Sequence, residues 1–112
     1  MKLVIIESPY ANGIDLNAKY ARAAMADCFK RGEAPFASHL LYTQPGVLRD
    51  DIKEERAKGM AAGWNWMVKA DLVAVYTDLG ITPGMKEGIG AAKTFAKPIE
   101  YRSLRQPGEE FE

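Results

Sequence analysis

Three clusters of reactive side chains stand well apart in the chain: Glu7, Ser8, Tyr10 and Asn12; Ser38, His39, Tyr42 and Gln44; and Thr77, Asp78, Gly80, Thr82 and Gly84. Each mixes hydroxyls or carboxylates with aromatic faces or with glycines that expose backbone N–H groups. A polar organic ligand carrying a sugar or a phosphate needs that mixture. The carboxyls Glu7 and Asp78 can move protons. His39 is the only histidine and Cys28 the only cysteine, so no ligand set for a metal ion is assigned. No G-x-G-x-x-G follows the first apolar run and no G-x-x-x-x-G-K-[ST] occurs. NAD-dependent redox chemistry and P-loop phosphoryl transfer are therefore disfavoured.

Such clusters become a site only if the intervening segments bring them together. Leu3 to Ile6 is a short, continuously apolar run, the pattern of a strand buried on both faces of a parallel sheet. Turn formers from Ser8 to Gly13 follow it, and Asp15 is expected to cap a helix from Leu16 to about Lys30, with Ala18, Ala21, Met25 and Cys28 on its inner face. Glu33 to Ala37 reads as a second strand, and the segment from Leu40 to Leu48 as a loop of functional composition. Asp50 or Asp51 opens a second helix to about Val68, with Met60, Gly63, Trp64 and Met67 on its buried face. Asp71 to Tyr76 is the clearest strand. Thr82-Pro83-Gly84 starts a third helix to about Ala96, and Pro98 to Tyr101 returns as a fourth strand. Strands alternating with helices predict an α/β three-layer sandwich, flavodoxin-like or Rossmann-like, with a parallel sheet of four to five strands. In such a sheet ligands bind at the carboxyl ends of the strands, where all three clusters fall.

Composition narrows the reading. The 112 residues are the size of one domain, expected over 1–104 with a loose polar tail over 105–112. With 47% hydrophobic and 27% charged residues, the chain has the makeup of a folded protein and not of a disordered one. Lys plus Arg and Asp plus Glu are 15 each, so no global positive field exists to hold duplex nucleic acid. A lone cysteine and the absence of a signal-like or membrane-length apolar run lead us to expect a cytoplasmic protein without membrane association. Large apolar residues on two faces of the second helix, Trp64, Trp66 and Met67, suggest a homo-oligomer.

The loops resemble a known superfamily. Glu7-Ser8-Pro9-Tyr10, Pro35-Phe36-Ala37-Ser38-His39-Leu40 and the run from Tyr76 to Met85 are similar in order and spacing to nucleoside 2-deoxyribosyltransferase-like proteins, above all a small branch common in phage and bacterial genomes. The similarity runs from Lys2 to Tyr101. It implies an assembled enzyme that cleaves or exchanges the N-glycosidic bond of a deoxynucleoside or its 5-monophosphate, without a cofactor. It also implies a glutamate nucleophile four residues beyond Gly84, where this chain has Gly88 and the nearest acid is Glu87. Asp78 matches the acidic position after the third strand and Tyr10 a position in the first loop.

On that basis Glu87 or Glu7 is the candidate catalytic carboxylate, with Asp78 orienting sugar or base. Ser8, Tyr10, Asn12, His39, Tyr42, Thr82, Gly84 and Met85 are the candidate substrate-binding residues. Each also has a plain structural reading: Glu87 as a solvated helix residue, Asp78 as a turn cap, the tyrosines as a lid on a small core, and Arg56 as an ion-pair partner of nearby acids. Gly88 itself favours an alternative, a nucleotide-binding or sequestering protein of the same fold without turnover.

Overall fold

The first apolar run forms the strand β1 (Leu3–Glu7), and its neighbours are set by what each segment must bury. In chain order there follow α1 (Ile14–Lys30), β2 (Ala34–Phe36), α2 (Ser38–Leu41), α3 (Lys53–Met67), β3 (Leu72–Tyr76), α4 (Pro83–Thr94) and β4 (Ile99–Arg102). The structure, a computed structural model, describes residues 1–11 and 13–105. Asn12 and most of the expected tail, 106–112, lie outside the described residues.

The described strands make one four-stranded sheet in the order β2-β1-β3-β4, all parallel. This is the flavodoxin-like α/β arrangement that the alternation of strands and helices predicts. The chain leaves β1 in one direction for β2 and resumes in the other at β3. The switch point thus falls between the carboxyl ends of β1 and β3.

Side-chain alternation along the strands divides the core in two. Val4 and Ile6 of β1, with Leu72, Ala74 and Tyr76 of β3, pack against Tyr20, Ala24 and Cys28 of α1. Ile5, Val73 and Val75 point the other way, to Met67 of α3 and to Met85, Ile89 and Ala92 of α4. Helices on both faces complete a three-layer sandwich, with α1 on one side and α3 and α4 on the other, as right-handed crossovers require. Each large apolar side chain so buried contributes about 1.5–3 kcal/mol.

Three local expectations are corrected. The helix α1 begins at Ile14 with Gly13 as its N-cap at φ 128°, and Asp15 lies inside the first turn and makes no side-chain cap. Only glycine adopts that φ without strain, which is why the helix starts earlier than a search for an Asp cap suggests. The segment after β2 is not all loop, since Ser38–Leu41 forms one helical turn, too short to show a period. On α3 only Met67 is buried, while Met60, Gly63 and Trp64 are half-buried along a cleft. The start of α4 is as expected: the Thr82 hydroxyl accepts a hydrogen bond from the Met85 N–H at 3.2 Å, and Pro83 occupies the first turn.

A charged network closes the α1 face. Arg102 of β4 donates both terminal nitrogens to Glu33, at 2.8 and 2.7 Å. It donates to Tyr76 Oη at 3.1 Å and, through Nε, to Glu100 at 2.8 Å. Tyr76 Oη donates in turn to Asp27 at 2.8 Å. The Arg102 side chain is 2% exposed and that of Glu33 11%, so the pair is almost fully desolvated. Hydrogen bonding to Arg102 holds the Glu33 carboxyl below its ordinary value against the opposing effect of burial.

Candidate active site

At the carboxyl ends of the strands the two core faces become two different environments. Glu7 is the last residue of β1 and pairs with Val75 across the ladder. Alternation with Ile5 puts it on the face of α3 and α4. Asp78 follows Tyr76 and bonds to α1, on the opposite face. The sheet therefore keeps apart two acids that the sequence reading put together.

Asp78 is fully engaged. Its side chain has no exposure, and it accepts hydrogen bonds from Tyr20 Oη at 2.6 Å, from the Ser103 hydroxyl and from the N–H groups of Leu104 (2.8 Å) and Arg105 (3.4 Å). The Arg105 Nε lies 3.2 Å away. Burial works to raise its pKa, but the donors from Ser103, Tyr20, Leu104 and Arg105 outweigh it and hold the carboxyl down at about 2. Asp78 thus ties the segment after β4 to the end of β3. A group whose folded pKa is depressed stabilises above its unfolded value, so this contribution is present above about 3.8 and is lost as pH falls toward about 2. Asp78→Asn is expected to cost about 1.5–3 kcal/mol and to flatten the acid limb of stability, as read by urea unfolding between pH 2 and 5.

Glu7 is in the contrary situation. Among the described residues its carboxyl has neither a hydrogen bond nor an ion pair, and burial alone pushes its pKa up to about 8. It lies at the floor of a cavity of about 60 Å³ whose walls are Ile5, Phe36, Ser38, His39, Asp50, Arg56, Met60, Gly63, Trp64, Met67, Gly84 and Gly88. That floor has room for a few water-sized groups. Ser38, His39, Asp50, Arg56 and Met60 also border an adjoining cavity of about 40 Å³. Asp50 also borders a further cleft of about 620 Å³, together with Tyr10, Ile14, Thr43 and Arg49. A narrow cavity with a carboxyl in its wall suits a ligand that inserts one reacting group there.

The walls are built from separate elements. His39, on the one-turn α2, stacks on Tyr10 with ring centroids 4.8 Å apart and planes 17° from parallel. Burial lowers its pKa, which Asp50 opposes and Arg56 reinforces, so the imidazole is neutral at pH 7. Arg56 faces Asp50 at 3.8 Å and lies against the start of α4, where a Cβ on Gly84 would meet its Nη2 at 3.4 Å. Tyr42 borders the adjoining cavity and accepts a hydrogen bond from Trp66 Nε1 at 2.8 Å.

Of the residues singled out in the sequence, Glu7, His39 and Gly84 meet at the floor, with Tyr10 and Tyr42 at its approaches. Ser8 is buried beside Glu7 in the chain, Thr82 caps α4, and Met85 belongs to the core at 1% exposure. Glu87 is exposed on the outer side of α4 and does not border the cavity. Asp50, Met60 and Trp64 were not singled out as site residues and do border it. The signal for Met60 and Trp64 is the Gly- and Met-rich helix α3, whose apolar stripe reads equally well as core, and Asp50 lies in the loop before it. Among the described residues no three His, Cys, Asp or Glu side chains gather as a metal ion requires, and no helix is long and apolar enough to cross a membrane.

A family model described as a domain of unknown function (DUF7768) matches residues 2–102. No curated protein sequence matches the chain. Among solved structures it is similar to a 2-deoxyribosyltransferase from the psychrotolerant bacterium Bacillus psychrosaccharolyticus, described as a biocatalyst for the synthesis of antiviral and antitumoral nucleosides. The TM-score is 0.68 at 18% identity, over 98% of this chain and 77% of that one. The relationship is one of fold.

Proposed function

We propose that this chain, which belongs to the DUF7768 family, is a nucleoside-processing enzyme that breaks the N-glycosidic bond of a 2-deoxynucleoside or its 5-monophosphate, with Glu7 as the reacting carboxyl. The observation that carries the proposal is a carboxyl without a partner, its pKa raised to about 8, at the floor of a cavity at the switch point of a parallel sheet. A partly buried carboxyl that keeps its proton at neutral pH is suited to giving that proton to a leaving group. The fold shared with a 2-deoxyribosyltransferase supports the substrate class.

In this reading the glycosidic C–N bond breaks, its electron pair goes to the base, and Glu7 supplies the proton that makes the base a neutral leaving group. The oxocarbenium-like sugar is then taken by water, whose proton returns to the Glu7 carboxylate, or by a second base in an exchange. Asp50, held beside Arg56, lines the same cavity as Glu7 and is the carboxylate that offsets the developing positive charge. The imidazole of His39 and the Tyr10 ring stacked on it form the wall against which the base packs.

The test is incubation with a panel of deoxynucleosides and 5-monophosphates, with and without a second base, following free base and exchanged nucleoside by chromatography. If Glu7 donates the proton, kcat/KM in the free enzyme is level below about pH 8 and falls tenfold per pH unit above it. A limb that rises through the same pH would reassign Glu7 as the attacking carboxylate. Thermal stabilisation by one nucleotide without any product would instead favour the binding protein suggested by Gly88, since a ligand held only by the native state raises apparent stability.

A further inference from the structure

Gly88 lies in the interior of α4, buried against the sheet. A Cβ built there would stand 2.3 Å from Glu7 Cδ and 2.4 Å from each of its carboxylate oxygens. Non-bonded heavy atoms settle at roughly 3.5–4.0 Å, so a side chain at 88 and the present seat of the Glu7 carboxyl exclude one another. No other described glycine is in this position: at Gly59 and Gly84 the nearest atoms would be 3.4 Å away and at Gly63 3.9 Å. Glycine is a poor residue for a helix interior, so the missing side chain calls for a reason.

We propose that Gly88 is a positioning residue for Glu7: α4 withholds a side chain at this turn so that the carboxyl of β1 can occupy its place at the cavity floor. The acid of the site thus reaches the floor from the strand, in the volume that a residue of the helix would otherwise fill. The charged or titratable groups sharing that cavity are His39 from α2, Asp50 from the preceding loop and Arg56 from α3, while Lys86 and Glu87 on α4 are exposed. The link to turnover rests on the proposed role of Glu7; the packing relation does not.

The test follows the Glu7 carboxyl by ¹³C NMR titration, alongside base release, in the full chain. In Gly88→Ala the atoms displaced are the end of a flexible side chain, so the fold is expected to persist. The Glu7 midpoint drops toward the ordinary carboxylate range as the group is pushed into solvent, and base release falls at least ~10-fold. Moving the acid to the helix, in Glu7→Ala combined with Gly88→Glu, is expected to recover at least about a tenth of wild-type release, against ~10²-fold loss in Glu7→Ala alone. An unchanged Glu7 midpoint in Gly88→Ala overturns the proposal. Should Gly88→Ala unfold, Glu7→Ala with Gly88→Ala must fold; if it also unfolds, the conflict is not with Glu7 and the idea is lost. Absence of base release from the wild type would defeat the functional reading alone, because the titration still decides the packing relation.

Discussion

Glu7→Gln is expected to lower base release by about 10²- to 10⁴-fold, the usual cost of losing a positioned proton donor. The substitution keeps shape and volume and removes only the exchangeable acid. No hydrogen bond or ion pair among the described residues is given up with it. The folded state should even gain. A carboxyl whose folded pKa is raised, here from 4.5 to about 8, is ionised in the unfolded chain before it is ionised in the native one. Its presence therefore erodes stability as pH rises across that window, and above it the full penalty applies. Glutamine abolishes this dependence. Thermal unfolding from pH 5 to 9 should show the variant equal to or more stable than the wild type toward the alkaline end, while chromatography shows turnover lost. A variant that turns over normally would remove Glu7 from the chemistry, and one that is less stable at pH 9 would contradict its burial without a partner.

The largest effect on stability is expected at Arg102. Truncation to alanine would leave Glu33 charged and nearly desolvated, with both its bonds to the guanidinium gone and Tyr76 short of a donor. Breaking such a pair by removing one partner costs about 3–5 kcal/mol, a large part of the 5–15 kcal/mol that holds a typical domain together. Urea unfolding at pH 7 should show this as a lower midpoint with little change of slope. The companion Arg102→Met with Glu33→Leu removes both charges and should recover most of the loss. Equal instability of the single and double variants would show that the cost is one of packing volume and not of charge.

The order of elements follows from local pattern. Continuous apolar runs at Leu3 and Leu72, a proline inside the first turn of α4 and glycines after helices act over a few residues, so they can be read without a fold. The division of the site needed only one step more: period-two alternation puts Glu7 with Ile5 and Asp78 with Tyr76, and hence on opposite faces. Other features were out of reach for physical reasons. The stripe of Met60, Gly63 and Trp64 has the same spacing whether it meets a core or a cleft. The conflict between Glu7 and Gly88 arises from the packing of α4 across β1, which no local pattern encodes. Register within α4 is equally silent in sequence terms, and it is the register that turns Glu87 outward and Gly88 toward the strand.

Two acids at one edge of the sheet, one pushed up to about 8 and the other held at about 2, face different groups: Asp78 meets Tyr20, Ser103, Leu104 and Arg105, none of which lines the cavity that holds Glu7. The sheet works as a partition between them. Substitutions around α1, Ser103 and Arg105 can retune how firmly the molecule holds together without touching the acidity on the far side, and changes at α3 or α4 can retune that acidity without loosening the anchor. In a chain of 112 residues the Asp78 anchor and the acidity of Glu7 thus sit on different faces, and what still joins them is the cost that the raised Glu7 pKa lays on the folded state. A library confined to the cleft face therefore leaves the Asp78 anchor intact, while its effect on folding is read through Glu7 and through the core residues Met67, Met85 and Ile89.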